Sequence, residues 1–167
     1  KPPRKFRIPV PAGIAISGLV APCLAIAQTN YTGTFSGGGS TMNFNGPDWT
    51  PSGVPGSNTG DTITIGAFTG GAATIALNNA NVTIASLGLN STNNLVFTAA
   101  TASRLFSIGS VSKSGSSALF FRNSGANTLT ASFGSLDITG GTVGFGNNSN
   151  PLQGVTVSCA VSVAEGT

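Results

Sequence analysis

Between Asp61 and Ile138 the sequence repeats one small pattern four times. Two apolar residues alternate with polar ones, two small residues follow, and the apolar phase then flips. The copies are Ile63, Ile65 and then Phe68; Val82, Ile84 and then Leu87, Leu89; Phe106, Ile108 and then Val111; Ala131, Phe133 and then Leu136, Ile138. The small pairs are Gly66-Ala67, Ala85-Ser86, Gly109-Ser110 and Gly134-Ser135. Alternation marks a strand with one buried face. Two consecutive small residues let the backbone bend and turn the next strand toward the same core. The first apolar positions are 63, 82, 106 and 131, with Val155 opening a fifth copy, so the steps are 19, 24, 25 and 24 residues. Repeats of that length belong to solenoids.

Shorter strands fall between the main copies, at Ile75 and Leu77, Leu95 and Phe97, Leu119 and Phe121, and Val143 and Phe145. Gly, Asn and Ser cluster in the turns, among them Gly70-Gly71, Asn78-Asn79, Asn93-Asn94, Ser114-Gly115-Ser116 and Gly140-Gly141. These residues tolerate left-handed conformations. The expected fold is all-β. It is a three-sided parallel β-solenoid, a right-handed β-helix, of about four to five coils over 61–167. A β-sandwich is the alternative. Ile65, Ile84, Ile108 and Phe133 are expected to stack in one column, and Asn79, Asn123 and Asn148 to form a polar ladder. Residues 28–60 read as an irregular N-terminal cap, with Trp49 over the first core layer. Tyr31 and Trp49 could instead form a sugar-stacking platform, although aromatics near a cap more commonly pack.

Charge divides the chain. Lys1, Arg4, Lys5 and Arg7 precede a mostly apolar run that ends in Ala25-Ile26-Ala27. That order is a secretory signal peptide, residues 1–27, with cleavage expected before Gln28. Pro9, Pro11, Gly13, Gly18 and Pro22 interrupt the run, which argues against a membrane anchor. The membrane then matters only through the leader during export. Pro22 before Cys23 does not fit lipidation. With Cys23 removed, Cys159 is left as a small hydrophobe on an alternating strand. Beyond the leader only Arg104, Lys113 and Arg122 face four acids, Asp48, Asp61, Asp137 and Glu165. There is no basic patch, so nucleic acid is not an expected partner.

The chemistry is sparse. The chain has no His, which removes His-based triads and His metal sites. The four acids do not cluster as a calcium site requires. Gly37-Gly38-Gly39 precedes no helix, so it is weak as a phosphate loop. Asp61 and Asp137 fall at different points of their repeats, which argues against paired-acid hydrolysis, and both read as solvated surface acids. No catalytic, cofactor-binding or metal-binding residue is assigned. Asn30-Tyr31-Thr32, Asn81-Val82-Thr83, Asn90-Ser91-Thr92 and Asn147-Asn148-Ser149 match the glycosylation sequon, which matters only in a eukaryotic secretory route.

The leader, the Gly/Ser/Thr/Asn-rich coils, and segments such as Asn127-Thr128-Leu129-Thr130 and Leu136-Asp137-Ile138-Thr139-Gly140-Gly141-Thr142 resemble bacterial exported β-solenoids. The similarity is to autotransporter passengers and autotransporter-associated β-strand repeats. It implies a cell-surface or secreted structural scaffold, adhesive in many members, that is not an enzyme. Its partners would be surface glycans or other cell-surface proteins. No outer-membrane barrel follows Thr167, so the resemblance implies an N-terminal fragment. Pectate lyases and polygalacturonases are similar in fold, and they use clustered Asp with Arg or Lys on a solenoid face. A polysaccharide-active fragment and a passive carbohydrate-binding module are therefore the competing readings. Val155, Val157, Cys159, Val161 and Val163 form an uncharged edge strand, through which self-association is expected.

Overall fold

The computed structural model describes residues 28–33, 41–46, 48–78 and 80–146, and the backbone of 160–163. The leader and most of the Val155–Val163 strand lie outside the described residues. Every element within them is a strand. In chain order these are β1 (Asn30–Gly33), β2 (Thr41–Asn43), β3 (Trp49–Thr50), β4 (Thr62–Ile65), β5 (Ala73–Ala76), β6 (Val82–Asn90), β7 (Leu95–Ala99), β8 (Arg104–Ser114), β9 (Ala118–Asn123), β10 (Leu129–Ile138), β11 (Thr142–Phe145) and β12 (Ala160–Val163). They form a seven-stranded sheet, β12-β10-β8-β6-β4-β1-β3, and a five-stranded sheet, β11-β9-β7-β5-β2. Every named strand pair is parallel except β1 with β3. The chain alternates between the two sheets as it climbs, which is a parallel β-solenoid. Among the described residues, β6–β7, β8–β9 and β10–β11 each pair a full long strand with a short one, and β4–β5 stacks below them with a shorter first strand.

The long strands carry the phase flip. In β6, Val82 and Ile84 are buried, Ala85 and Ser86 are half-buried, and Leu87 and Leu89 are buried again. The strand bends at the small pair, so the large sheet supplies two sides of the coil and the small sheet the third. Pairing passes from Ile84–Ile108 to Ser86–Ser110 and steps over Ala85 and Gly109. Here the coils approach closely. A Cβ on Gly109 would lie 2.5 Å from the Ala85 carbonyl oxygen, and one on Gly134 would strike the Gly109 carbonyl. Glycine at these bends is a steric requirement of stacking.

The register corrects the first repeat. Ile84 pairs with Ile108 and Ile108 with Phe133, as the column expectation requires, but Ile65 pairs with Leu89. The column that contains Ile63 runs Tyr31, Ile63, Leu87, Val111, Leu136, Val161. From Ile63 onward its steps are 24, 24, 25 and 25 residues, so the 19-residue step was a misalignment. Asp61–Ile65 is the second half of a long strand whose first half is missing. Irregular chain fills that place: Pro55 is buried, and Gly56 packs against Val82 and Ile84.

The described residues of 28–60 include three short strands. β1 and β2 extend both sheets in parallel register, with Tyr31 on Ile63 and Met42 on Ile75. The antiparallel β3 closes the N-terminal edge. Trp49 lies over the first layer as expected. It is buried, its ring centroid is 5.6 Å from that of Phe44, and its indole Nε1 donates to the Phe44 carbonyl at 2.7 Å.

The core is aromatic along the small sheet. Phe97, Phe121 and Phe145 occupy one register column on β7, β9 and β11. Their rings stack at 5.7 and 5.8 Å, each pair tilted by only 14°. Phe106 and Phe133 reach across from the large sheet to within 5.0 Å of Phe97 and Phe121 respectively. Successive coils are thus joined by contacts between identical positions, the arrangement that makes solenoid stability a sum over neighbours.

Candidate functional site

Few groups in this chain can do chemistry, so the location of each is decisive. Asp61 is completely buried, not a solvated surface acid. Its Oδ1 accepts from the Thr29 amide at 3.2 Å. Its Oδ2 accepts from the Gly56 amide at 3.0 Å, the Asn58 amide at 3.1 Å and the Ser57 hydroxyl at 3.3 Å. One carboxylate thereby organises the irregular 56–58 loop that replaces a half-strand. Asp137 is exposed on β10, as expected of a surface acid. The Asp61 carbonyl pairs with Ala85 of β6, so β4 and β10 are separated by three rung steps. At about 4.8 Å per step that is about 14 Å. Paired-acid hydrolysis needs about 5 to 9.5 Å, so these two carboxylates cannot act together.

The three cations among the described residues are also dispersed. Arg104 begins β8 and its guanidinium donates to the Asn78 carbonyl. Arg122 lies on the outer side of β9, 4.0 Å from the centre of the Phe120 ring. Lys113 is fully buried near the end of β8, not on a solenoid face. Its Nζ donates to the carbonyls of Ser114, Gly115 and Gly140 at 2.7, 2.9 and 3.1 Å. Burial lowers its pKa from the ordinary 10.5. Tyr31 and Trp49 are both buried, which removes the sugar-stacking platform. Among the described residues no group of three His, Cys, Asp or Glu is placed to hold a metal ion.

The polar side chains at the corners have a shared task that the sequence did not reveal. They bond to the neighbouring coil. Asn81 Oδ1 accepts from the Leu105 amide at 2.9 Å, and Asn94 Oδ1 from the Ala118 amide at 2.8 Å. Asn127 Nδ2 donates to the Ala100 carbonyl at 2.8 Å, the Ser103 hydroxyl oxygen accepts from the Thr128 amide at 3.0 Å, and Asn93 Nδ2 donates to the Phe68 carbonyl. Each bond spans one repeat. Among the described residues no non-glycine has a positive φ, so the described turn asparagines serve through their amides and not through left-handed backbone. The expected asparagine ladder does not form at Asn123, which registers with Ala99 and accepts from the Leu129 amide across the turn that joins β9 to β10; Asn79 and Asn148 lie outside the described residues.

The outer side of the large sheet is the remaining candidate surface. Thr62, Ser86, Ser110 and Ser135 form one register column, and Thr64, Gly88, Ser112 and Asp137 form the next. All are exposed or half-buried, and Asp137 is the only charge among them. No family model matches the chain, and neither a curated protein nor a solved structure matches it.

Proposed function

We propose that this chain is an exported structural solenoid, cell-surface or secreted, adhesive in character and without catalytic activity. The bacterial autotransporter-like passengers are the class it resembles. The observation that carries the reading is the use made of its ionisable groups. Asp61 and Lys113 are buried and bonded to backbone, and Arg104 is tied to the Asn78 carbonyl. The face left to solvent on the long strands offers rows of hydroxyls, a surface suited to glycans and other uncharged polar partners. The leader-like segment supports export.

Export and adhesion are tested together. The full chain is expressed in a bacterial host, and the secreted product is examined by mass spectrometry and against a glycan panel. The expected product begins at Gln28 and binds without turnover. An intact leader on secreted protein refutes cleavage before Gln28, and retention of the chain inside the cell refutes the export reading. Turnover of a polysaccharide that is lost on Asp61 or Asp137 substitution refutes the scaffold reading.

A further inference from the structure

Lys113 occupies a position that its neighbours give to hydrocarbon. In register it lies between Leu89 on β6 and Ile138 on β10. Its stem continues that apolar column, and its head passes the end of the strand into the turn. An ammonium has three N–H donors and here meets three carbonyl acceptors. Two of them, Ser114 and Gly115, belong to its own turn, and the third, Gly140, belongs to the turn of the next coil. The next turn descends closely onto this centre. Gly141 has φ +70°, and a Cβ there would lie 2.8 Å from both the Lys113 Nζ and the Gly115 carbonyl oxygen. One coil earlier, the turn after Leu89 closes without a cation. There the Ser91 hydroxyl oxygen accepts from the Asn93 amide, and the Ser91 carbonyl accepts from the Ser117 amide.

We propose that Lys113 is an internal cation latch. Its ammonium fills a carbonyl-lined site between two consecutive turns, as a bound monovalent cation would, and fastens coil β10–β11 to coil β8–β9. The ammonium is buried and its acceptors are half-buried carbonyls, and carbonyls shielded from water and left without a donor are costly, so removing the head group weakens this junction first. The coils below it retain their own stitches and their aromatic stack. Release of the latch thus lets the later coil separate from the earlier ones, a local opening of the kind that repeat proteins permit.

The test is amide hydrogen exchange on wild type, Lys113→Met and Lys113→Ala. The Thr139 amide donates to the Lys113 carbonyl and the Thr142 amide to the Ser117 carbonyl, so both report on the junction. The Leu77 and Ala85 amides, bonded to Thr98 and Asp61, report on the earlier coils. In Lys113→Met, Thr139 and Thr142 are expected to exchange at least about tenfold faster while Leu77 and Ala85 keep their protection. In Lys113→Ala, propylammonium is expected to restore protection, because it supplies the missing N–H donors. Tetramethylammonium has the charge without the donors and is expected to do nothing. Unchanged protection at Thr139 and Thr142 in Lys113→Met overturns the proposal. So does a uniform loss across all four amides, or an equal response to the two ammonium ions. If Lys113→Ala does not fold, the pattern in Lys113→Met decides alone.

Discussion

Phe120 and Phe121 are adjacent phenylalanines on β9, and substituting each in turn reads the register of the solenoid. Phe121 is completely buried. Its ring touches four others, Phe97 at 5.7 Å, Phe145 at 5.8 Å, Phe133 at 5.0 Å and Phe106 at 6.3 Å. Phe→Ala in a packed core costs about 3–5 kcal/mol. Aromatic pairs add about 0.5–1.5 kcal/mol each beyond area burial, so four contacts place Phe121→Ala well inside that range, at about 4 kcal/mol. A loss of about 4 kcal/mol is a roughly thousandfold change in the folded-to-unfolded ratio. With a urea dependence of about 2 kcal/mol per molar, the midpoint falls by about 2 M. Phe120 points outward. It is half-buried, touched by the Arg122 guanidinium and lying over the Gly144 backbone. Phe120→Ala is expected to cost about 1 kcal/mol, the order of one exposed cation–π contact. Urea titrations of both variants followed by circular dichroism measure the difference. A Phe120→Ala loss equal to or larger than that of Phe121→Ala would mean that β9 presents the other face to the core, and the register argument would fail.

Three further outcomes are expected. Gly109→Ala puts a Cβ 2.5 Å from the Ala85 carbonyl and is expected to cost about 1–3 kcal/mol, whereas Gly66→Ala, with nothing within 4 Å, is expected to be neutral or stabilising by up to about 1 kcal/mol; thermal melts of the pair that showed no difference would dismiss the close approach at the bend. Asp61→Ala strands the Thr29, Gly56 and Asn58 amides and is expected to lose at least about 2 kcal/mol and to make the 52–58 loop the first site of protease cleavage, seen by mass spectrometry of the fragments; unchanged cleavage kinetics would show that the carboxylate does not organise the loop. Burial lowers the pKa of Lys113, so between that lowered value and 10.5 the unfolded chain holds more protons than the folded one, and the contribution of this residue to stability rises with pH. The unfolding free energy of wild type relative to Lys113→Met is therefore expected to increase as pH rises toward 10.5 in parallel urea titrations; a constant or falling difference would refute the direction of the shift.

The parallel solenoid was legible in the sequence because its causes are local. Alternation in Val82–Ile84 and Phe106–Ile108, the phase flip after Ala85 and Gly109, and turn residues at regular intervals each act within a few positions. Together they leave little besides stacked coils. The same patterning located the small-sheet strands at Ile75, Leu95, Leu119 and Val143. The alignment of the first coil was not legible. Ile63-Thr64-Ile65 fits either half of a long strand equally well, and only pairing with Leu87 and Leu89 chooses between them. That choice rests on the buried Asp61 carboxylate and the 56–58 loop occupying the missing half-strand, a contact between segments that no local pattern encodes. Burial of the charges was hidden for the same reason. Lys113 reads as a surface cation in any list of residues. It becomes a buried one because its position in the coil is apolar and because Ser114, Gly115 and Gly140, from two different turns, converge where its head group ends. The corner asparagines likewise announce turns in the sequence. Their bonds to the next coil exist only once residues about 24 positions apart are brought to the spacing of adjacent strands.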